Sequence, residues 1–428
     1  MKIIIFSELL YPHGGGAELA TWLYAKLLAE RGFDLTIVTS RFSNEKPFEI
    51  INERIRVYRL PHKVLLGTRY YAVANIGILM GELITKLIKE SDVVYIPGGW
   101  YPAILFAKAF RKPVVVHLHN YSLVCPLSLM YDLVKQRVDS SSLRSFIIHE
   151  RFEKKRNVAS VILSSFVHEF LGRYYSRLGR MADVFIFVSK VQRNLVLSKI
   201  PNIRDRSYVI YNPLPDIPLI ESERKGIGYF GGKRFVKGFH ALMCSLKMLK
   251  TNCEVYLVNT SERTIKLNMP NGVLVNLLPR LDKKSIENLL KKISIVAIPS
   301  LCPEPLPYTL VESMLSGKLV VASNIGGIPE VVDRNTEGVK LIEPGDYTEL
   351  AEALNYYLSL NLEEVNEIGV KNREFILKRI NNEVVIKEFD YVKMTHYCCI
   401  HSVKEVFRAL HMTRLCVKEG ISNVQRGM

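Results

Sequence analysis

Short apolar runs alternate with longer stretches of helical periodicity along nearly the whole chain, and few folds can accommodate that alternation. Residues 2–6, 35–39, 57–60, 93–96, 114–117, 184–188 and 209–211 read as strands. They are rich in Val and Ile, as strands buried on both faces must be. Between the first two lies a segment, 17–31, with Leu19, Ala20, Leu23, Tyr24, Leu27 and Leu28 on one helical face and Gly32 behind it to end the helix. Strand, helix and parallel strand make a βαβ unit, and its repetition predicts an α/β fold with doubly wound parallel sheets.

The alternation is interrupted once, at Asn212 to Pro218, where three prolines in NPLPDIP mark a stiff connector. It then resumes, with strands predicted at 227–230, 255–258, 273–277, 295–298 and 319–322 and helices at 237–250, 283–292 and 308–316. A chain of 428 residues is long enough for two cores. Two Rossmann-like domains facing a central cleft are therefore expected, 1–212 and 213–395, followed by a tail, 396–428, with no clear pattern. Ligands of such folds sit at the carboxyl ends of the strands.

Composition narrows the function. Apolar residues make up 48% and charged residues 23%, which excludes a disordered or low-complexity chain. Lys and Arg number 58 against 42 Asp and Glu, a net charge of +16 that calls for an anionic partner: a polyanion, an anionic membrane surface or a phosphorylated small molecule. Nucleic acid is set aside, because no recognised module or aromatic interleaving accompanies the charge. Cys125, Cys244, Cys253, Cys302, Cys398, Cys399 and Cys416 form no C-x-x-C pair and read as reduced thiols of a cytoplasmic protein. No secretory signal or membrane span is expected, and 70–87 reads as an amphipathic core helix. Residues 136–180 hold nine Lys or Arg against four Asp or Glu among many Phe and Ile. They read either as a helical cap with a solvated charged face or as an acceptor-side patch meeting anionic lipid at the inner face of a membrane.

Four places could carry chemistry. Gly14, Gly15 and Gly16 open the first helix, where free amides and the dipole favour an anion, although the spacing is not a dinucleotide fingerprint and a plain tight turn remains open. His117 and His119 share one side of the fifth strand, His119 at the ligand end; with no third ligand nearby, no metal is expected. Lys233, Arg234 and Lys237 gather cations past a strand end, as a diphosphate cradle would. Glu304 and Glu312 lie eight residues apart across a loop and a helix start, a pair able to accept hydrogen bonds from sugar or ribose hydroxyls.

These motifs fall in a familiar order. The block from Pro299 to Val332, with Glu304, Glu312 and GGIPE, resembles the E-x7-E region of the retaining GT-B glycosyltransferases of family 4. GGGAE, HNYSLVCP, ADVFIFVS, VIYN and the Lys237–Gly238 pair follow the same family's sequence order, so the resemblance covers most of the chain. It implies a nucleotide-diphosphate sugar donor held mainly by the second domain and a glycan or lipid-linked acceptor. By similarity Glu312 would bind ribose, Glu304 would face the transferred hexose, Lys237 would neutralise the diphosphate, and His119 would lie at the reacting sugar. Gly15 and Gly16 would admit phosphate or acceptor, with the amides of Leu306 and Tyr308 beside the donor. No cofactor or metal is implied, and no D-x-D occurs in the sequence. The chain departs from the pattern at Gly232, where the family usually has Arg and where Lys233 or Arg234 would have to substitute; at Pro307, which lacks an N–H; and at Asn120, usually Asp. An epimerase or a non-catalytic nucleotide-sugar-binding module on the same scaffold are the alternatives.

Overall fold

The computed structural model describes residues 1–42, 44–60, 76–125, 127–140, 142–153, 155–332 and 336–389. Met1–Val385 form one compact unit and Ile386–Met428 a second. The tail expected from residue 396, with Cys398, Cys399 and Cys416, lies outside the described residues, as does the first part of the helix expected over 70–87.

Within the first unit the chain builds two sheets. The first has the order β3-β4-β2-β1-β5-β6-β7-β8, from β1 (Lys2–Phe6), β2 (Asp34–Ser40), β3 (Phe48–Asn52), β4 (Ile55–Leu60), β5 (Val93–Ile96), β6 (Val114–Leu118), β7 (Val184–Phe187) and β8 (Ser207–Val209). Every pairing is parallel except β3 with β4. β5, β6 and β7 are buried along their whole length, which is why their sequences show continuous apolar runs and no alternation. β3 is nearly all exposed and hairpins onto β4 at the sheet edge; with no buried face to pattern it, periodicity in the sequence does not reveal it.

The second sheet has the order β11-β12-β10-β9-β13-β14-β15, from β9 (Ile227–Tyr229), β10 (Glu254–Leu257), β11 (Ile265–Asn268), β12 (Leu274–Leu277), β13 (Ile295–Ile298), β14 (Leu319–Ser323) and β15 (Val339–Ile342). Only β11 runs antiparallel, and β11 and β15 are additions to the strands expected from the sequence. The strand expected at 209–211 is β8, two residues earlier. The helix expected over 237–250 is instead a 3₁₀ turn, Phe235–Lys237, then a left-handed Gly238, then the helix Phe239–Leu246. In each sheet the first strand is flanked on both sides, β1 by β2 and β5, β9 by β10 and β13. Strand order reverses there, leaving a crevice at the carboxyl ends.

The connector is held as well as stiff. Tyr308 donates to the carbonyl of Pro213 at 2.9 Å, Arg373 to Ile217 at 2.6 Å, and the buried Lys318 to Ile220 at 2.6 Å and to Ser222 Oγ at 2.8 Å. The basic insertion folds as the helix Leu143–Ile148, a π-helical turn His149–Glu153 and the long helix Val158–Gly179. Buried Asp132 anchors it by accepting from Ser142 N at 3.1 Å and Ser145 Oγ at 2.8 Å. Cys125, Cys244, Cys253 and Cys302 are free thiols.

Candidate active site

Beyond β1 the chain turns through Gly14–Gly16 into the helix Gly16–Glu30, whose N-terminus Glu18 caps by accepting from Gly15 N at 2.7 Å. Gly16 lies against Tyr308 of the opposite lobe so closely that a Cβ there would sit 3.2 Å from its ring. Arg280, in the loop after β12, donates to the carbonyl of Gly14 at 3.1 Å.

At the end of β6 the two histidine rings stack 4.4 Å apart. His117 is core: it is fully buried and its Nδ1 hydrogen-bonds Tyr95 at 2.7 Å. His119 faces the crevice with neither ring nitrogen partnered. Burial lowers its pKa to about 3, so it is a neutral imidazole at any physiological pH. Gln192 fixes the loop that carries it, donating to the carbonyls of Leu118 at 2.8 Å and Asn120 at 3.1 Å.

In the second lobe Gly238 decides where Lys237 goes. Its φ is +77°, and a Cβ there would lie 1.8 Å from the carbonyl oxygen of Pro299. Only glycine lets the 3₁₀ turn lie on the end of β13. Lys237 Nζ then reaches Glu304 at 2.5 Å, and Ser300 Oγ donates to the same carboxylate at 2.7 Å. Burial pushes the Glu304 pKa up, but the charge and hydrogen bond of Lys237, the Ser300 bond and the charge of Arg234 outweigh it, so Glu304 is held below the usual carboxylate range. Glu312, half-buried on the helix Tyr308–Leu315, meets no hydrogen-bond donor among the described residues, and burial raises its pKa to about 7. One carboxylate is thus permanently charged and neutralised, while the other is poised and free.

A cavity of about 440 Å³ brings together Gly15, Gly16, His119, Lys237, Glu304, Leu306, Tyr308 and Glu312 from both lobes, with Arg280 beside them. Lys233 and Arg234 line a different and larger cavity, of about 1040 Å³, that reaches the basic insertion. Two cations, two helix N-termini, paired carboxylates and a neutral imidazole around one cavity suit a ligand that carries both a diphosphate and hydroxyls.

Residues 14–216 match the sequence profile of Glycosyltransferase Family 4, and residues 224–359 that of Glycosyl transferases group 1. The chain belongs to the family 4, group 1 glycosyltransferases of GT-B fold. An uncharacterized glycosyltransferase of Methanocaldococcus jannaschii is 24% identical over 91% of this chain and 97% of its own. An uncharacterized 42.6 kDa protein from the cps region of Klebsiella pneumoniae is 23% identical over 77% of this chain and 87% of its own. Among solved structures, sucrose-phosphate synthase from Thermosynechococcus elongatus superposes with a TM-score of 0.66 at 14% identity, over 93% of this chain and 99% of that one. Anabaena HepE in complex with UDP-glucose does so with 0.61 at 19% identity, over 93% and 100%.

Three residues of this glycosyltransferase's site escape sequence reasoning. Arg280 is a lone cation with no motif spacing, and Gln192 acts through its amide alone. Glu330 reads only as part of GGIPE, yet it accepts from the amides of Lys190 at 2.8 Å and Val191 at 2.5 Å, binding the opposite lobe at the N-terminus of the helix Lys190–Leu197.

Proposed function

We propose that the glycosyltransferase moves a hexose, with retention of anomeric configuration, from a nucleotide-diphosphate sugar to a hydroxyl of a glycan or lipid-linked acceptor. The observation that carries this reading is the single cavity in which Lys237-bound Glu304 and unpartnered Glu312 face His119. HepE, of like fold, is seen in complex with UDP and with UDP-glucose, which supports a sugar nucleotide here.

Glu312 takes the ribose hydroxyls, Lys237 and Arg280 take the diphosphate together with the amides of Gly15, Gly16, Leu306 and Tyr308, and His119 hydrogen-bonds the sugar. A departing nucleoside diphosphate needs its growing charge matched by donors already in place. Two cations and two helix N-termini supply that here, so the reaction is read as independent of a metal ion, in keeping with a sequence that lacks D-x-D. The acceptor hydroxyl attacks from the leaving-group side and gives its proton to the departing phosphate. Glu304, already neutralised by Lys237, positions the sugar and forms no covalent bond. The enzyme works in the cytoplasm at the inner face of a membrane, bound peripherally; among the described residues no helix is long and apolar enough to cross one.

The test is a thermal-shift panel of UDP-, GDP- and ADP-sugars, since a ligand of the native state raises Tm. One donor should stand out, and Glu312→Ala and Lys237→Ala should each abolish both its shift and turnover while circular dichroism is unchanged. Normal turnover by both variants would refute the reading, and a trapped glycosyl-enzyme at Glu304 would refute the mechanism.

A further inference from the structure

The larger cavity and the surface beside it lie outside the donor pocket proposed above. Val158, Ile162, Phe166 and Phe170 recur every fourth residue along the long helix Val158–Gly179, and all four are exposed. Phe166 and Phe170 are 68% and 73% exposed, and Phe152, just before the helix, is 74% exposed. A bare apolar stripe of this length on one helix, with a further bare phenylalanine just before it, is the kind of surface that marks an interaction site. Cations flank them: Arg151, Lys155, Arg173 and Arg177 are all exposed.

Phe152 and Ile148 also line the larger cavity, so the apolar surface continues into its mouth. Lys155, Lys233 and Arg234 line the cavity, and none makes a hydrogen bond or ion pair among the described residues. The carboxylates facing them are already engaged or weakened. Glu150 is paired with Arg156 at 2.9 Å, and Glu153 accepts from Phe235 N at 3.1 Å, with His149 Nδ1 3.1 Å away and the charge of Arg234 acting on it. Burial and the charge of Glu18 raise the pKa of Glu8 to about 7. The cavity therefore offers Lys155 and Lys233 as cations with no acidic partner, and Arg234, whose charge also reaches Glu153 and Glu304, among the aromatic walls of Phe146, Phe152 and Phe235.

We infer that the larger cavity is the site of a phosphate-bearing lipid acceptor, its phosphate held by Lys155, Lys233 and Arg234, with Phe152, Phe166 and Phe170 seated in the bilayer surface beside it. An in-plane helix with an aromatic face and basic flanks binds anionic lipid in this way. The word acceptor rests on the function proposed above; the binding itself does not, and it is measured without turnover.

The full chain is tested by flotation with vesicles of phosphatidylcholine alone or with phosphatidic acid, and by thermal shift with short-chain phosphatidic acid, inorganic phosphate and UDP. The wild type should float only with the anionic vesicles and be stabilised by the short-chain lipid much more than by inorganic phosphate. Phe166→Ser/Phe170→Ser, which leaves the cavity lining untouched, should lose flotation but keep the short-chain lipid shift, which also shows that it is folded. Lys155→Ala/Lys233→Ala should bind the short-chain lipid at least about tenfold more weakly while its response to UDP matches the wild type. Equal stabilisation by inorganic phosphate would overturn the inference. So would loss of the UDP response with lipid binding intact in the Lys155→Ala/Lys233→Ala variant, unchanged flotation of the serine variant, or a lipid-free dimer that the serine substitutions abolish. A wild type that ignores every sugar nucleotide yet binds lipid phosphate would refute the proposed donor and leave this site standing.

Discussion

Glu312 illustrates how one residue's surroundings set a measurable pH dependence. Its pKa is raised by burial from 4.5 to about 7, so near neutrality it is half protonated, and in the proposed site only the carboxylate would accept from two ribose hydroxyls. Donor affinity should therefore rise with pH, by about tenfold between about pH 6 and pH 8, and Glu312→Gln should flatten the dependence, as calorimetric titration of UDP would report. His119, neutral throughout with its pKa near 3, cannot contribute to that slope. The same raised pKa affects stability with a definite sign. The native state holds the Glu312 proton more tightly than the unfolded chain, so stability is lost as pH climbs from 4.5 to about 7. Melting of Glu312→Gln and wild type should thus diverge over that window, with the variant gaining and the difference level above it. The position of Glu312 is readable from its eight-residue spacing behind Glu304. Its protonation is not, because the burial responsible comes from side chains distant in sequence.

Elements with both faces buried announce themselves; those with none do not. β5, β6 and β7 are legible as apolar runs, whereas β3, with four of its five residues exposed, and β11, with three of four, carry no such signature. The turn before the helix Phe239–Leu246 misleads for another reason: the Lys237–Gly238 pair looks helical in sequence, and only the approach of Pro299 forces Gly238 into the left-handed region. Gly238→Ala would place a Cβ 1.8 Å from that carbonyl at φ +77°. It should cost about 2 kcal/mol or more of stability by chemical denaturation, and it should weaken UDP binding because Lys237 is displaced from Glu304. Lys233 and Arg234 show the limit of adjacency in sequence: within four residues of Lys237, the turn sends them into a different cavity.

Polar contacts join the two lobes at several points, among them Arg280 to Gly14, Phe235 N to Glu153 and the set around Glu330. Glu330 of the second lobe accepts from Lys190 N and Val191 N of the first, Tyr211 donates to it at 3.4 Å, and Tyr24 donates to the carbonyl of Tyr211 at 2.9 Å. Glu330→Ala should free the two amides, so hydrogen exchange at Lys190 and Val191 should accelerate by tenfold or more, for a charged cap worth about 1.5–3 kcal/mol, while exchange within β9 and β13 is unchanged. No pattern in the sequence connects positions 190 and 330, since pairing across a crevice leaves no periodicity. Glu330 stands on the same segment as Gly326, and a Cβ on Gly326 would lie 2.2 Å from the carbonyl oxygen of Glu304, to which Gly327 N also donates at 2.8 Å. The clasp between the lobes and the shelf under Glu304 are therefore one piece of chain. Whatever loosens the clasp pulls on the backbone that seats Glu304, so the join between the lobes and the placing of that carboxylate stand or fall together.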